Sequence, residues 1–394
     1  MSPQLPSKTF CILPWIHFFH NPSGKISPCC SAHGDLNKFG NIQDFSSAEE
    51  IVNTAAMKSV RREMLAGQEP ESCRGCYEQE LLGAYSFRKN KNTDMQYINV
   101  DQLLSDTHAD GTLDNFRMQY WDARFSNICN LKCRMCGPEY SHTWAEELKT
   151  KPYVIHAHPN STWQQIIARY GDLSQLREVY FAGGEALFQP EHWQMLEHLS
   201  ELNKHNVAVT YTTNLTKLSH GRHRIEDYLN KFTNMLFIVS LDGVGKTIEY
   251  IRHGVKWNEL TANLHTIKQF DHVKVKFNIV VTVYNILNLS DVIDFAVAHS
   301  TAFNPIDLFV AYNPEFSITN LPLELKQLAE SRLRNNQHYE KYQDRIDAVV
   351  NSMNQDPVAT WQLVVSETDK LDRLRQENIF DIVPEFQEHW HEKI

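Results

Sequence analysis

The sequence has no apolar run approaching the ~20 residues that cross a bilayer, so no membrane-spanning segment is expected. It also lacks an excess of positive charge. Its 38 Lys and Arg face 48 Asp and Glu, a net −10, which removes any chain-wide attraction to nucleic-acid phosphate or anionic lipid. The one basic stretch, "SFRKNKN" at 86–92, reads as a solvated surface segment rather than a nucleic-acid site. There is no internal repeat, no low-complexity tract and no cysteine after residue 136. The eight cysteines, Cys11, Cys29, Cys30, Cys73, Cys76, Cys129, Cys133 and Cys136, all precede that point, and scattered core cysteines would not segregate in this way. The N-terminal "FCILPWIHFF" is interrupted by Pro14 and His17, has no cationic leader and no small-residue cleavage site after it, and so does not read as a signal peptide. A cytoplasmic location is expected. Thiols stay reduced there, so metal or cluster ligation accounts for the cysteines better than disulfides.

What is present is a core large enough for one barrel-like domain or two domains: 394 residues, 42% hydrophobic. From about residue 116 short β-rich runs alternate with helical stretches. The runs are 117–125, 178–183, 207–213, 235–241, 273–283 and 306–312, several nearly continuously apolar or β-branched, as parallel strands covered on both faces are. Between them, 191–202 places Trp193, Leu196, Leu199 and Leu202 on one stripe, and 256–270 and 289–300 behave similarly, the last with Ser290 as its expected N-cap. Strand–helix repetition implies right-handed crossovers and a parallel sheet. Six units predict an α/β fold, a partial (β/α)6 TIM-like barrel, whose chemistry gathers at the C-terminal strand ends. The expected domains are a small cysteine-rich module over 1–95 with a helical stretch at 48–65, a polar linker over 96–115, the barrel over 116–320, and a helical C-terminal extension over 321–394, most periodic at 367–383.

The stretch "CNLKCRMC" (129–136) follows the first strand. A closed structural zinc site needs four ligands, and three cysteines could be completed by a distant His or Cys. Three thiolates on a 4Fe-4S cluster instead leave one iron open to a substrate or cofactor. "CNLKCRMC" resembles the signature loop of the radical S-adenosylmethionine (SAM) enzymes, with Met135 where that family often has an aromatic. "FAGGEALF" (181–188) resembles the family's Gly-Gly-Glu motif. The resemblance implies that Cys129, Cys133 and Cys136 hold a SAM-binding 4Fe-4S cluster, and that Glu185 pairs with the methionyl amine while Gly183 and Gly184 permit close backbone approach. It extends SAM binding to Thr213 and Asn214 in "YTTNLT", to Ser240 and Asp242 in "SLDG", and to Arg252 in "EYIRHG". Each of these residues could equally be a helix cap or part of an ion pair.

Cys11, Cys29, Cys73 and Cys76 can make a closed tetrathiolate site, for which zinc and iron–sulfur are equally good on composition alone. Cys30 could replace Cys29. The segments "CILPWIHFFHNPSGKISPCC", "FGNIQDFSS" and "CRGCYEQE" resemble the SPASM/twitch auxiliary-cluster module of many radical SAM enzymes, which implies a second 4Fe-4S cluster. In the family that module usually follows the barrel; here it precedes it.

The resemblance implies reductive cleavage of SAM to a 5′-deoxyadenosyl radical, hydrogen abstraction from a substrate, and an auxiliary cluster that accepts an electron. An oxidation needs a base, and Asp307 and Asp122 are the candidates, either of which could instead be a structural carboxylate; His20 and His33 read as incidental. The expected substrate is a peptide or protein side chain, with dehydrogenation of a small alcohol or sugar as the alternative and a non-catalytic zinc or iron–sulfur scaffold as the rival from another class. A reducing partner such as flavodoxin or ferredoxin is implied; nucleic acid and membrane partners are not.

Overall fold

The computed structural model describes residues 5–81, 86–171, 173–311 and 313–391. The chain forms two compact units: Met1–Cys129, Pro138–Thr210 and Lys231–Asn234 make the first, and Asn130–Gly137, Tyr211–Asn230 and Met235–Ile394 the second. The sheet strands are β1 (Tyr120–Ala123), β2 (Glu178–Phe181), β3 (Ala208–Thr213), β4 (Met235–Ser240), β5 (Val273–Val281) and β6 (Ile306–Val310). They are ordered as in the sequence, β1 to β6, and the registered pairs β1–β2, β4–β5 and β5–β6 are parallel. This is the α/β, partial TIM-like architecture expected. No helix among the described residues is long and apolar enough to cross a membrane.

Each strand is shorter than its apolar run because the chain beyond it spends its hydrogen bonds elsewhere. After β1, the Phe125 carbonyl accepts from the Ala157 amide and Ser126 bridges to His156, which turns the chain out of the sheet. After β2, Gly183 adopts φ +109°, a conformation incompatible with a continuing strand. The expected run over 306–312 ends at Val310, and Tyr312 lies outside the described residues.

The first unit's N-terminal part is built from short pieces. An antiparallel pair, Phe19–His20 with Ile26–Ser27, spans the "NPSGK" turn. The helix expected over 48–65 is two: Ala48–Val52, then α1 (Ala55–Leu65). Thr54 separates them because its hydroxyl accepts from the Met57 amide as an N-cap, while the Asn53 side chain bonds both the amide and the carbonyl of Leu113. The stretch 86–92 corrects the expectation of a solvated basic surface. It belongs to α2 (Phe87–Asp94), in which Arg88 and Lys91 are buried and ion-paired to Glu80 and Glu178. A further helix, Val100–Ser105, lies within the stretch read as a polar linker.

Among the helices beside the sheet, α3 (Pro190–Glu201) buries Trp193, Leu196 and Leu199 as expected. Leu202, the C-cap residue past the last turn, is 48% exposed. The N-cap of α4 (Leu289–His299) is Asn288, not Ser290, whose hydroxyl instead donates to the Arg332 carbonyl. The C-terminal extension contains Leu323–Arg334, Gln343–Met353 and α5 (Trp361–Arg375). The last begins earlier than the 367–383 periodicity suggested, capped by Thr360, and stops where Gln376 turns left-handed at φ +57°.

Arg61, fully buried, unites the irregular N-terminal pieces. Its guanidinium donates to the carbonyls of Gly111 (2.8 Å), Pro14 (2.9 Å) and Val52 (2.6 Å) and to Asn53 Oδ1 (3.1 Å). Replacing it by methionine keeps the volume and strands these acceptors. Arg61→Met is expected to cost about 3 kcal/mol or more, read as a lower urea midpoint at unchanged slope; an unshifted midpoint would contradict this role.

Candidate functional site

In the first unit, Cys11, Cys29, Cys73 and Cys76 sit within an irregular scaffold and influence one another electrostatically. Burial pushes the Cys11 thiol well above its ordinary range, and the neighbouring Cys73 and Cys76 push it further. Burial does the same to Cys29, reinforced by Cys30, Cys73 and Cys11. Cys11, Cys29, Cys73 and Cys76 thus form one electrostatic group. Cys30 faces differently: burial, then the Asp122 carboxylate, pushes its thiol up to about 11, with Arg124 and Ser31 opposing. His33, read as incidental, packs against Gly75 between Cys73 and Cys76. A Cβ there would stand 2.6 Å from its Nε2. The Arg88 guanidinium braces the same region, donating to the Phe10 carbonyl at 2.7 Å and to Glu80. His20, also read as incidental, is buried and bonded to the Tyr170 hydroxyl at 2.5 Å.

The same unit holds the approach to the cysteine loop. The Cys129 amide donates to His142 Nδ1 at 3.1 Å, and the Thr143 hydroxyl donates to the Cys129 carbonyl at 3.2 Å. Asn127, buried, donates to the carbonyls of Pro138 and Tyr153 and accepts from the Ile155 amide. Against this strand of backbone lies the Gly-Gly-Glu turn. The Gly184 amide donates to the Ser126 carbonyl at 3.2 Å and the Glu185 amide to the Ile128 carbonyl at 2.7 Å. A Cβ on Gly184 would sit 2.2 Å from the Ile128 oxygen, so no other residue fits without moving the loop. The Glu185 side chain is buried and accepts from the Leu187 amide at 3.4 Å. Asp122, also buried, takes a two-pronged bond from Arg124, at 2.8 and 3.2 Å.

In the second unit, Cys133 and Cys136 lie on a turn closed by the Cys136 amide bonding the Cys133 carbonyl at 3.0 Å. Burial pushes the Cys133 thiol up to about 12, eased by Arg252, whose Nη1 is 3.7 Å from the sulfur. Arg252 is in turn paired through Nε to Asp242 at 2.6 Å. Fully buried, Asp242 also accepts from the Val280 amide. Thr213 and Asn214 shape the loop after β3: Thr213 Oγ1 accepts from the Leu215 amide, and Asn214 bonds Asn130 at 3.0 Å and the Thr216 amide. Register sets Ser240, Asn278 and Asp307 in a row across β4, β5 and β6, and Asp307 is ion-paired to Lys276.

Soft thiols in sets of three and four, buried or half-buried, suit iron–sulfur clusters, and Arg88 and Arg252 oppose the negative charge that thiolates would carry. Among the described residues no three His, Cys, Asp or Glu side chains are grouped so that they could hold a metal ion as they stand. Asn127 and His142 escaped sequence reading because nothing in their spacing marks them.

The profile of the radical SAM superfamily matches residues 124–296, and that of the SPASM iron-sulfur cluster-binding domain matches 11–77. Residues 124–296 thus form a radical SAM domain, preceded by a SPASM iron–sulfur cluster-binding domain over 11–77. The chain's cofactors are accordingly a 4Fe-4S cluster and SAM, with auxiliary iron–sulfur in the SPASM domain. No curated protein matches the chain. Among solved structures, "Native anSMEcpe with bound AdoMet" is 19% identical, covering 64% of this chain and 66% of its own, at TM-score 0.39. The same protein with AdoMet and Cp18Cys peptide is 16% identical, covering 57% and 61%, at TM-score 0.36. Streptococcus suis SuiB bound to S-adenosylmethionine is 15% identical, covering 87% and 76%, at TM-score 0.33. The chain spans less than two thirds of the length of the first two.

The packing of Gly184 on Ile128 carries a prediction for the radical SAM core. Gly184→Ala should lower stability by about 2 kcal/mol or more, seen as a drop in Tm of the metal-free protein. An unchanged Tm would mean the loop yields freely.

Proposed function

We propose that the chain is a radical SAM oxidoreductase that takes hydrogen from a side chain of a peptide or protein. The observation that carries this reading is the backbone joint in the first unit, where Gly184 and Glu185 bond the residues leading into Cys129. It ties the turn that would receive the methionyl group of SAM to the loop that would hold the open iron.

When bound, the cluster and SAM supply the electron and the 5′-deoxyadenosyl radical that the abstraction requires. The chain's own residues do the positioning. Cys129, Cys133 and Cys136 hold the cluster, and Glu185 pairs with the SAM amine. Arg252, oriented by Asp242, sits beside the Cys133 sulfur, while Ser240, Thr213 and Asn214 line the strand ends. Cys11, Cys29, Cys73 and Cys76 would hold the auxiliary cluster, which when bound would supply an electron acceptor for the oxidation. The two candidate bases are Asp122, buried and ion-paired to Arg124 on the strand that leads to the cysteine loop, and Asp307, ion-paired to Lys276. Flavodoxin or ferredoxin would supply the reducing electron. The peptide assignment rests on the SPASM match.

Anaerobic reconstitution tests the whole reading. About eight irons and eight sulfides per chain, with 5′-deoxyadenosine formed from SAM under reductant, are expected. Zinc without SAM cleavage would overturn it in favour of a scaffold. Cys129→Ala should abolish SAM cleavage, whereas Cys73→Ala should leave cleavage uncoupled from product; normal turnover by both variants would remove these roles. The orientation of the adjacent thiols adds a separate expectation. Cys29→Ala should fall to about four irons per chain while Cys30→Ala keeps about eight, and the reverse pattern would assign Cys30 as the ligand.

A further inference from the structure

Arg134 stands between two of the signature cysteines, yet its partners come from the other end of the chain. Its side chain is completely buried, and Nη2 donates to Asp372 Oδ1 and to Glu377 Oε2, both at 2.5 Å. Its Nε donates to the Tyr250 carbonyl at 3.2 Å, and the guanidinium lies 3.6 Å from the centre of the Tyr250 ring. Both acids are themselves fixed. Asp372, on α5, also accepts from the Tyr250 hydroxyl (2.9 Å) and the Ile379 amide (2.8 Å). Glu377 is swung back by the left-handed Gln376, its amide bonding the Asp372 carbonyl, and its second oxygen takes His253 Nδ1 at 2.6 Å. The loop's backbone is strapped to the same region, Lys132 to the His253 carbonyl and Arg134 to that of Ile251.

We infer that α5 and the turn after it clamp the cysteine loop, with Arg134 as the positioning residue for Cys133 and Cys136. A guanidinium buried without a counter-charge is strongly disfavoured, so the loop keeps this path only while Asp372 and Glu377 are docked. Because Arg134 is next to Cys133 and two residues before Cys136, any rotation of its backbone re-aims both thiols. The two acids lie outside residues 124–296, the stretch matched by the superfamily profile, so the clamp is an addition made by the C-terminal extension. The inference rests on the proposed function only for what the two thiols hold.

The test uses the metal-free full-length chain, alkylated with iodoacetamide and read cysteine by cysteine by mass spectrometry, with Cys11 and Cys73 as internal references. Arg134→Gln, and separately Asp372→Asn with Glu377→Gln, should raise the alkylation rate of Cys133 and Cys136 about tenfold relative to the references, since local opening exposes them. Arg134→Lys, which retains the charge, should recover most of the protection. In reconstituted protein, Arg134→Gln should alter the electron paramagnetic resonance signal of the SAM-responsive cluster and leave the auxiliary signal unchanged. If Arg134→Gln does not fold, Glu377→Gln alone is read in the same way. An unchanged ratio, an equal rise at every cysteine, or no rescue by lysine would overturn the clamp. Failure of the radical reading would look different: no spectral response to SAM, with the alkylation ratio still altered.

Discussion

The carbonyl oxygen of Ile128 occupies the space that a side chain at position 184 would need. This close approach of two backbones joins the turn after β2 to the entrance of the cysteine loop, and hydrogen bonds from the Gly184 and Glu185 amides hold it. Neither segment has regular structure of its own. Their shared conformation is therefore set by the absence of a Cβ and by hydrogen-bond accounting, since a buried amide without a partner is strongly disfavoured.

Elsewhere the irregular segments are organised by buried guanidinium groups. Arg61 collects three carbonyls of the N-terminal pieces, Arg88 ties α2 to the residues before Cys11, and Arg134 and Arg252 do the corresponding work around Cys133. Arginine suits this role because its planar fork presents five donors at fixed angles and stays charged when buried. Burial favours the neutral form of the Cys11, Cys29, Cys30, Cys73, Cys76, Cys133 and Cys136 thiols, so ligating a cluster there would release protons. The cations beside Cys11 and Cys133 favour the thiolate form that a cluster requires.

The auxiliary module shows how little room such a scaffold leaves. Cys29 and Cys30 are neighbours in sequence but feel different surroundings, one the thiol group of Cys11 and Cys73, the other the Asp122–Arg124 pair. Gly75 between Cys73 and Cys76 admits the His33 ring where any side chain would collide with it. The order of the two domains, with the SPASM match before the radical SAM match, is read directly from the residue ranges.

The sequence by itself determined the strands and the motifs. β-branched, apolar runs specify parallel strands through burial on both faces, and the spacing of "CNLKCRMC" and "FAGGEALF" places them just after the first and at the end of the second. Tertiary structure alone decided the rest, because each case depends on a partner distant in sequence. Arg88 and Lys91 look solvated until Glu80 and Glu178 neutralise them in the interior. Ser290 looks like a cap until Arg332 offers it a carbonyl, and the helix over 48–65 breaks where Asn53 finds Leu113. Arg134 reads as one more loop residue until a chain segment 238 positions away supplies its counter-charge. Local propensity and periodicity act over a few residues, whereas a buried charge or hydrogen bond is satisfied by whichever group folding brings beside it.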